Sequence, residues 1–326
     1  PALRLVYPGN IVRLTEVSGK PVVPVDGPED PVQLMARQSA VLRGNITDPF
    51  GNELADFNGT ITLTLYDSDY SVTTHGYSTA DDPGKQITTD KMGGRLYVGS
   101  AHVKNGAFEM NVLMPAEVAD NYRQATLNMY ASATDGREAN GVCRDLYVYG
   151  IDPDAVPDDT APVIETIYLN HPSFQDGQAV NSSPMLIASV TDDRALNLST
   201  SGIGHQMALY LDEGGKSYTD VSEFFTPFPD GTPGGTINYP LSDLPTGYHS
   251  LRLRVWDTGP NSAEATLNFT VQQDIIPTIY EVYTDRNPVS DKADFYVSHD
   301  RPDLTMTVTI EVFDLMGRPV WQKTQT

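Results

Sequence analysis

Carboxylates in two short clusters are the residues whose type and spacing could do chemistry in this chain. Calcium binds six to eight oxygen ligands and tolerates irregular geometry, so such clusters are candidate calcium sites. Neither cluster has the spacing of an EF-hand loop, and aspartates that cap solvated turns would give the same pattern. The candidate ligands are Asp152, Asp154, Asp158 and Asp159 in a proline-rich stretch, and Asp192 and Asp193 directly after a predicted strand.

The nucleophile and general-base patterns of enzymes are missing from the sequence. Cys143 is the single thiol and lies in the strand-like run Gly141 to Val148, which favours a buried structural role. Ser201-Gly202-Ile203-Gly204-His205 lacks the Gly-x-Ser-x-Gly order of a nucleophile elbow. The histidines are scattered without metal-ligand spacing, and no phosphate-binding loop follows a predicted strand. We therefore predict that this chain has no catalytic site and holds no organic cofactor.

Composition argues against several classes of partner. The 326 residues include 43 acidic and 21 basic side chains, which gives a net charge of −22. Such a charge disfavours binding to nucleic acids and to anionic membranes. The sequence contains no run of about 18 apolar residues, so it predicts no membrane-spanning helix. A single cysteine cannot form an internal disulfide, and this alone leaves the cellular compartment open.

Alternation of apolar and polar residues with a period of two runs through most of the chain. Ile61, Leu63 and Leu65 alternate with threonines, and near the end Met306, Val308, Ile310 and Val312 alternate with three threonines and Glu311. Because successive side chains of a strand face opposite sides, this pattern predicts half-buried antiparallel strands. The absence of helical periodicity predicts an all-β fold, which we assign to tandem immunoglobulin-like β-sandwiches.

Proline and glycine positions predict the domain boundaries. The prolines of the acidic stretch remove donors that a central strand would need, so this stretch is predicted to be a linker. The last piece is too short for a complete sandwich, and we predict in it a hairpin that turns at Met316-Gly317-Arg318. The predicted divisions are a strand and hairpin lead-in at 1–30, a first sandwich at 31–150, the linker at 151–161, a second sandwich at 162–272 and a truncated β domain at 273–326.

Several segments resemble one protein family, the gingipain-family cysteine peptidases that act as sortases of type IX secretion in Bacteroidota. Pro1-Ala2-Leu3-Arg4-Leu5 is similar to the last strand of their catalytic domain, and the other segments are similar to the non-catalytic region that follows it. Those segments are Gly44-Asn45-Ile46-Thr47-Asp48, Phe57-Asn58-Gly59-Thr60-Ile61, Gly106-Ala107-Phe108, Glu138-Ala139-Asn140-Gly141, Asp159-Thr160-Ala161-Pro162-Val163-Ile164, Ser201 to His205, Gly247-Tyr248-His249-Ser250-Leu251, Val255-Trp256-Asp257 and Glu311 to Trp321. The last of them resembles the first half of the family's C-terminal sorting-type domain, so the resemblance implies that 273–326 is a truncated sorting-type β domain.

The resemblance implies a function for the parent protein and a supporting role for this chain. A catalytic domain with a His and a Cys would precede Pro1, so no catalytic residue falls in this sequence, and further strands would follow Thr326. The parent would remove sorting domains from exported cargo at the outer membrane of a Gram-negative bacterium and attach the cargo to a lipopolysaccharide anchor. This chain would be a scaffold on the cell surface, with its own catalytic domain and other outer-membrane proteins of the attachment complex as partners.

Asp159-Thr160-Ala161 resembles the short sequence on which Bacteroidota O-glycosylate exported proteins, so Thr160 is a candidate acceptor unless it only starts the next strand.

The alternative to the scaffold role is an independent surface adhesin or glycan-binding array. Aromatic side chains clustered on one strand face would favour that alternative.

Overall fold

The computed structural model contains strands and almost no helix. It describes residues 8–24, 31–76, 84, 86–119, 122–200, 204–212, 217–273, 275, 278–284, 294–300, 307–314 and 316–325. Within these ranges the helical structure is one 3₁₀ turn, Ser222–Phe224. The predicted all-β class is confirmed. The expectations for Pro1 to Leu5, Ser201 to Ile203 and Met306 lie outside the described residues.

The strands from residue 10 to residue 151 build one nine-stranded sheet and a separate two-stranded ribbon. The sheet has the order β2-β1-β4-β9-β8-β5-β10-β11-β3, and β6 pairs with β7 in the ribbon. The strands are β1 (Asn10–Val17), β2 (Lys20–Pro21), β3 (Val32–Ala36), β4 (Ser39–Thr47), β5 (Gly59–Tyr66), β6 (Tyr70–Thr73), β7 (Thr88–Lys91), β8 (Arg95–Lys104), β9 (Ala107–Leu113), β10 (Arg123–Ala133) and β11 (Glu138–Ile151). Strands β1 and β2, from the predicted lead-in, are therefore part of this sheet.

An additional pairing between β1 and β11 closes the sheet on itself. Asn10 and Ile11 pair in parallel with Ala139 and Asn140, while β1 also pairs antiparallel with β4. Seven strands, β1-β4-β9-β8-β5-β10-β11, thus form a ring, and β2 and β3 extend it. The sequence predicted a two-sheet sandwich here, and the structure corrects it to a closed, barrel-like sheet. The reason is that alternation identifies only the buried face of a strand. It does not determine whether that face packs against a second sheet or against other strands of the same closed sheet.

The interior of the ring holds the alternating apolar side chains. Ile61, Leu63 and Leu65 of β5 are almost completely buried, as the sequence pattern predicted, and Phe57 is fully buried beside them. Burial of a side chain of this size contributes about 1.5–3 kcal/mol to the free energy of unfolding. The alternating face of each strand is therefore the main source of stability for this part of the chain.

The strands from residue 163 to residue 271 form two further sheets. One has the order β12-β14-β18-β17 and the other the order β13-β20-β19-β15-β16. The strands are β12 (Val163–Leu169), β13 (Ala179–Val180), β14 (Met185–Thr191), β15 (Ala208–Leu211), β16 (Thr219–Asp220), β17 (Phe225–Pro227), β18 (Gly234–Pro240), β19 (Gly247–Trp256) and β20 (Ser262–Val271).

The last strands form two separate hairpins. Strand β21 (Ile279–Thr284) pairs with β22 (Phe295–His299), and β23 (Val308–Phe313) pairs with β24 (Pro319–Gln325). The second hairpin is the predicted one, and Gly317 has φ +76° at its turn, a conformation that glycine adopts without steric cost. Asp314 stabilises this turn by accepting hydrogen bonds from the backbone N–H groups of Met316 and Arg318.

The chain divides into two compact units. The first comprises Pro1–Ile167, Ala188–Asn238 and Ser250–Leu267, and the second comprises Tyr168–Ile187, Tyr239–His249 and Asn268–Thr326. The first unit therefore contains the closed sheet, the linker and parts of the strands that follow it. The predicted domain boundaries remain predictions.

Arg95, at the start of β8, ties the closed sheet to later residues of the first unit. Its guanidinium donates hydrogen bonds to the carbonyl oxygens of Leu198 (3.1 Å) and Ser222 (2.8 Å). The backbone N–H of Arg95 donates a hydrogen bond to the Thr200 hydroxyl, and the backbone N–H of Thr200 donates one to the carbonyl oxygen of Arg95. We call these contacts of Arg95 with Leu198, Thr200 and Ser222 the Arg95 joint. Burial lowers the pKa of Arg95, so the joint contains a partly desolvated charge that is held by backbone acceptors.

Candidate metal centre

Asp158, Asp192 and Asp193 come together in the first unit. One carboxylate oxygen from each of the three lies within 4.8 Å of the other two. Asp158 belongs to the linker, whereas Asp192 and Asp193 directly follow β14. The sequence predicted these residues in two separate clusters, and the structure joins one member of the first cluster to both members of the second.

Backbone groups hold one oxygen of each inner carboxylate. Asp192 Oδ2 accepts hydrogen bonds from the N–H groups of Arg194 (3.0 Å) and Ala195 (2.7 Å). Asp158 Oδ1 accepts a hydrogen bond from the N–H of Thr160 at 3.2 Å. These bonds fix the orientation of both side chains and leave Asp192 Oδ1 and Asp158 Oδ2 free for another partner.

The two remaining oxygens are buried and have no hydrogen-bond donor within the described part of the chain. Asp158 as a whole is only 9% exposed. Burial raises the pKa of Asp192 to about 6, and the neighbouring charges of Asp158 and Asp193 add to the rise. A buried carboxylate oxygen without a donor or a counter-charge is energetically unfavourable, so this arrangement needs a partner.

Asn261 forms hydrogen bonds with the linker next to this cluster. Its side-chain amide donates to the carbonyl oxygens of Asp158 (2.9 Å) and Thr160 (3.2 Å) and to Asp257 Oδ2 (2.7 Å). Burial raises the pKa of Asp257, and the charge of Asp158 contributes to the rise. The sequence analysis did not identify Asn261, although its place after the turn residues Gly259 and Pro260 was a local signal of a loop.

Arg194 also binds the linker and does not neutralise the cluster. Its guanidinium donates to the carbonyl oxygens of Val156 (2.8 Å) and Pro157 (3.3 Å). None of the ion pairs found among the described residues includes Asp158, Asp192 or Asp193. The Arg194 guanidinium is thus hydrogen-bonded to backbone carbonyls of the linker and not ion-paired with the cluster.

The other predicted ligands of the linker lie outside this cluster. Asp152 accepts a hydrogen bond from the N–H of Asp154 at 3.0 Å, which is a turn-capping role, and both Asp154 and Asp159 are exposed. Thr160 is exposed as well, and its carbonyl is bound by Asn261. The candidate cation ligands are thus reduced from six aspartates to three, and Thr160 stays a candidate glycosylation site.

Cys143 is buried in β11. The residue is 7% exposed and faces the interior of the closed sheet. Burial raises the pKa of its thiol, the opposite of the change that activates a catalytic cysteine. A structural role for Cys143 agrees with this environment.

An exposed aromatic cluster was missed by the sequence analysis. Tyr122 stacks on Tyr147 with ring centroids 4.6 Å apart and meets Tyr149 edge-on at 6.0 Å. Tyr147 and Tyr149 share one face of β11, and Tyr122 precedes β10, the neighbouring strand. The spacing of Tyr147 and Tyr149 was visible in the sequence, whereas the approach of Tyr122 depends on strand pairing.

Comparison with known proteins gives similarities to solved structures. The chain is similar to dimeric latent PorU from Porphyromonas gingivalis, with 27% identity, a TM-score of 0.47, 99% of this chain covered and 30% of that chain. It is also similar to the fibronectin(III)-like modules of Clostridium thermocellum CbhA, with 11% identity, a TM-score of 0.20, and 80% and 94% covered. A tetra-tandem repeat from the extending region of a large adhesion protein has 14% identity, a TM-score of 0.19, and 89% and 60% covered.

All three TM-scores lie below 0.5, so none of the superpositions establishes a shared fold. This chain spans about 30% of the PorU chain that it matches. No family model and no curated protein matches the chain. Among the described residues, no helix has the length and apolar character that a membrane span requires.

Proposed function

We propose that this chain is a non-catalytic scaffold and docking region of a PorU-like, gingipain-family cysteine peptidase. The parent protein would process the cargo of type IX secretion and attach it at the cell surface of a Gram-negative bacterium. This chain would hold the upstream catalytic domain and present it to other outer-membrane proteins of the attachment complex.

The joint made by Arg95 is the observation that carries the scaffold role. A scaffold must keep fixed distances between the parts that it connects. The four hydrogen bonds that link Arg95 to Leu198, Thr200 and Ser222 fix the closed sheet to residues more than a hundred positions later. A half-buried charge held by backbone carbonyls resists bending more than an exposed, solvated contact, because separation would leave polar groups unpaired.

The family-like segments of the closed sheet support the same role. A Cβ atom at Gly44 would lie 2.1 Å from the carbonyl oxygen of Arg13, and one at Gly141 would lie 2.1 Å from that of Val12. Both neighbours belong to β1, the strand that closes the ring. The glycines of these family-like segments therefore serve the architecture of the closed sheet, which supports the proposed scaffold role.

The test is to express the segment encoded immediately before Pro1 and to measure its binding to this chain by calorimetry. We expect that segment to contain a caspase-like domain with a His and a Cys, and to bind this chain with a Kd in the micromolar range or tighter. This chain alone should hydrolyse no peptide substrate. An upstream segment without such a domain would contradict the proposal.

One observation favours the alternative of a glycan-binding surface protein. Tyr122 is 45% exposed and Tyr149 is 38% exposed, and the Tyr122 ring contacts both Tyr147 and Tyr149. Stacked tyrosines can bind the apolar faces of sugar rings while their hydroxyls form hydrogen bonds. Binding of the chain to an immobilised glycan panel, abolished by Tyr122→Ala and Tyr149→Ala, would favour this function; no binding would remove it.

A further inference from the structure

We propose that Asp158, Asp192 and Asp193 bind a calcium ion that fastens the linker to the turn after β14. This site goes beyond the scaffold function and does not depend on it. The three carboxylates supply oxygen ligands from two segments separated by 33 residues, and they already lie within 4.8 Å of one another.

The unpartnered oxygens point to a ligand more directly than the acidic character of the cluster. Asp158 is only 9% exposed, and its Oδ2 has neither solvent nor a described hydrogen-bond donor; Asp192 Oδ1 is in the same state. In both residues the other oxygen is occupied by backbone N–H groups. Turn-capping alone thus explains one oxygen of each side chain, and a cation explains the other.

The chemistry of the donors selects the kind of ion. Three carboxylates without a cysteine or histidine form a hard, all-oxygen set, which suits calcium or magnesium and not zinc. Calcium accepts irregular coordination and several ligand types, whereas magnesium demands nearly ideal octahedral geometry and dehydrates reluctantly. A site assembled from a linker and a turn fits calcium better, with water completing the coordination.

The ion would strengthen contacts that the linker already makes. Asn261 binds the carbonyls of Asp158 and Thr160, and Arg194 binds those of Val156 and Pro157. These hydrogen bonds end on neutral backbone carbonyls, so they position the linker and leave the carboxylate charges of the cluster unmatched. Calcium would supply the missing charge, so linker mobility and protease sensitivity should fall when it binds.

The experiment measures the thermal stability of the purified chain after treatment with EDTA, at pH 7.5, with 5 mM CaCl₂ or 5 mM MgCl₂. With a Kd near 0.1 mM, calcium should raise the Tm by about 5 °C. Magnesium should raise it much less. Calorimetry should give one calcium per chain, and calcium should slow proteolysis between residues 152 and 160.

Matched variants separate metal binding from a purely structural role. Asp158→Asn and Asp192→Asn should abolish the calcium-dependent shift, while Asp159→Asn, an exposed neighbour in the same linker, should keep it. Without calcium, Asp192→Asn should melt at the same temperature as the wild type or higher, because it removes an unmatched buried charge. The proposal is overturned by an absent calcium shift, by an equal magnesium shift, by loss of the shift in Asp159→Asn, or by variants that lower the Tm equally with and without calcium.

Discussion

The guanidinium of Arg95 donates a hydrogen bond of 2.8 Å to the carbonyl oxygen of Ser222, which lies 127 positions further along the chain. This bond and its neighbours make the closed sheet and part of the later strands one compact unit. A charge that is removed from water and held by backbone acceptors is a costly contact to break. The joint is therefore expected to control the cooperativity of unfolding.

Replacement of Arg95 should show this directly. Arg95→Met keeps most of the side-chain volume and leaves the carbonyls of Leu198 and Ser222 without their donor. We expect the free energy of unfolding to fall by about 2–4 kcal/mol in urea denaturation. The control is Arg43→Met, whose exposed guanidinium pairs with Glu16 and Glu109 and should contribute less than about 1 kcal/mol. Equal effects of the two substitutions would show that the Arg95 contacts stabilise the fold no more than an exposed ion pair does.

Closure of the sheet should depend on Gly141. A Cβ at this position would lie 2.1 Å from the carbonyl oxygen of Val12, so β1 and β11 would have to move apart. We expect Gly141→Ala to lower the free energy of unfolding by about 2 kcal/mol or more, as measured by urea denaturation. Gly9→Ala is the matched control, because a Cβ at Gly9 would meet nothing within 4 Å. A neutral Gly141→Ala would mean that the closing pair tolerates wider spacing.

Cys143 should resist alkylation in the folded protein. Burial raises the pKa of its thiol, so at pH 8 the thiolate fraction is smaller than that of an ordinary cysteine. Iodoacetamide should therefore modify Cys143 slowly in buffer and rapidly in urea, with mass spectrometry as the readout. The rate in buffer should rise as the pH increases towards the raised pKa. Rapid modification of the native chain at pH 7 would contradict the buried position.

Thr160 should carry a glycan when the protein is isolated from its native host. Its exposed position in the linker makes it accessible to a modifying enzyme. The intact mass of the native protein should exceed that of Thr160→Ala by the mass of one glycan. Thr191→Ala is the control: Thr191 is hydrogen-bonded to Glu165, and this variant should still carry the glycan. An unmodified native chain would remove this prediction.

The two final hairpins should differ in their contribution to stability. Tyr280, on β21, stacks on His171 with ring centroids 4.4 Å apart, and the carbonyl of Asp300 accepts a hydrogen bond from Asn181. Strands β23 and β24 pair with each other, and Phe313 and Trp321 are about half exposed. Deletion of residues 307–326 should lower the Tm by less than about 2 °C, whereas deletion of 277–326 should lower it by more. Equal shifts would assign the second hairpin to the same core as the first.

The sequence alone determined the all-β class and much of the local geometry. The alternation of Ile61, Leu63 and Leu65 with threonines identifies the buried face of β5, because the period of a strand is a local property of the backbone. Gly317 marks the turn of the last hairpin for the same kind of reason, since a positive φ is a requirement of one residue. The buried position of Cys143 also followed from the strand pattern around it.

Only the tertiary structure decided how these strands meet. Closure of the sheet depends on the pairing of Asn10 with Ala139, and the candidate calcium site depends on the approach of Asp158 to Asp192. Neither contact leaves a signal in the spacing of neighbouring residues, because each joins positions that are distant in sequence. Periodicity specifies which side chains are buried, whereas long-range backbone pairing selects their partners, and this is why a predicted sandwich proved to be a closed sheet.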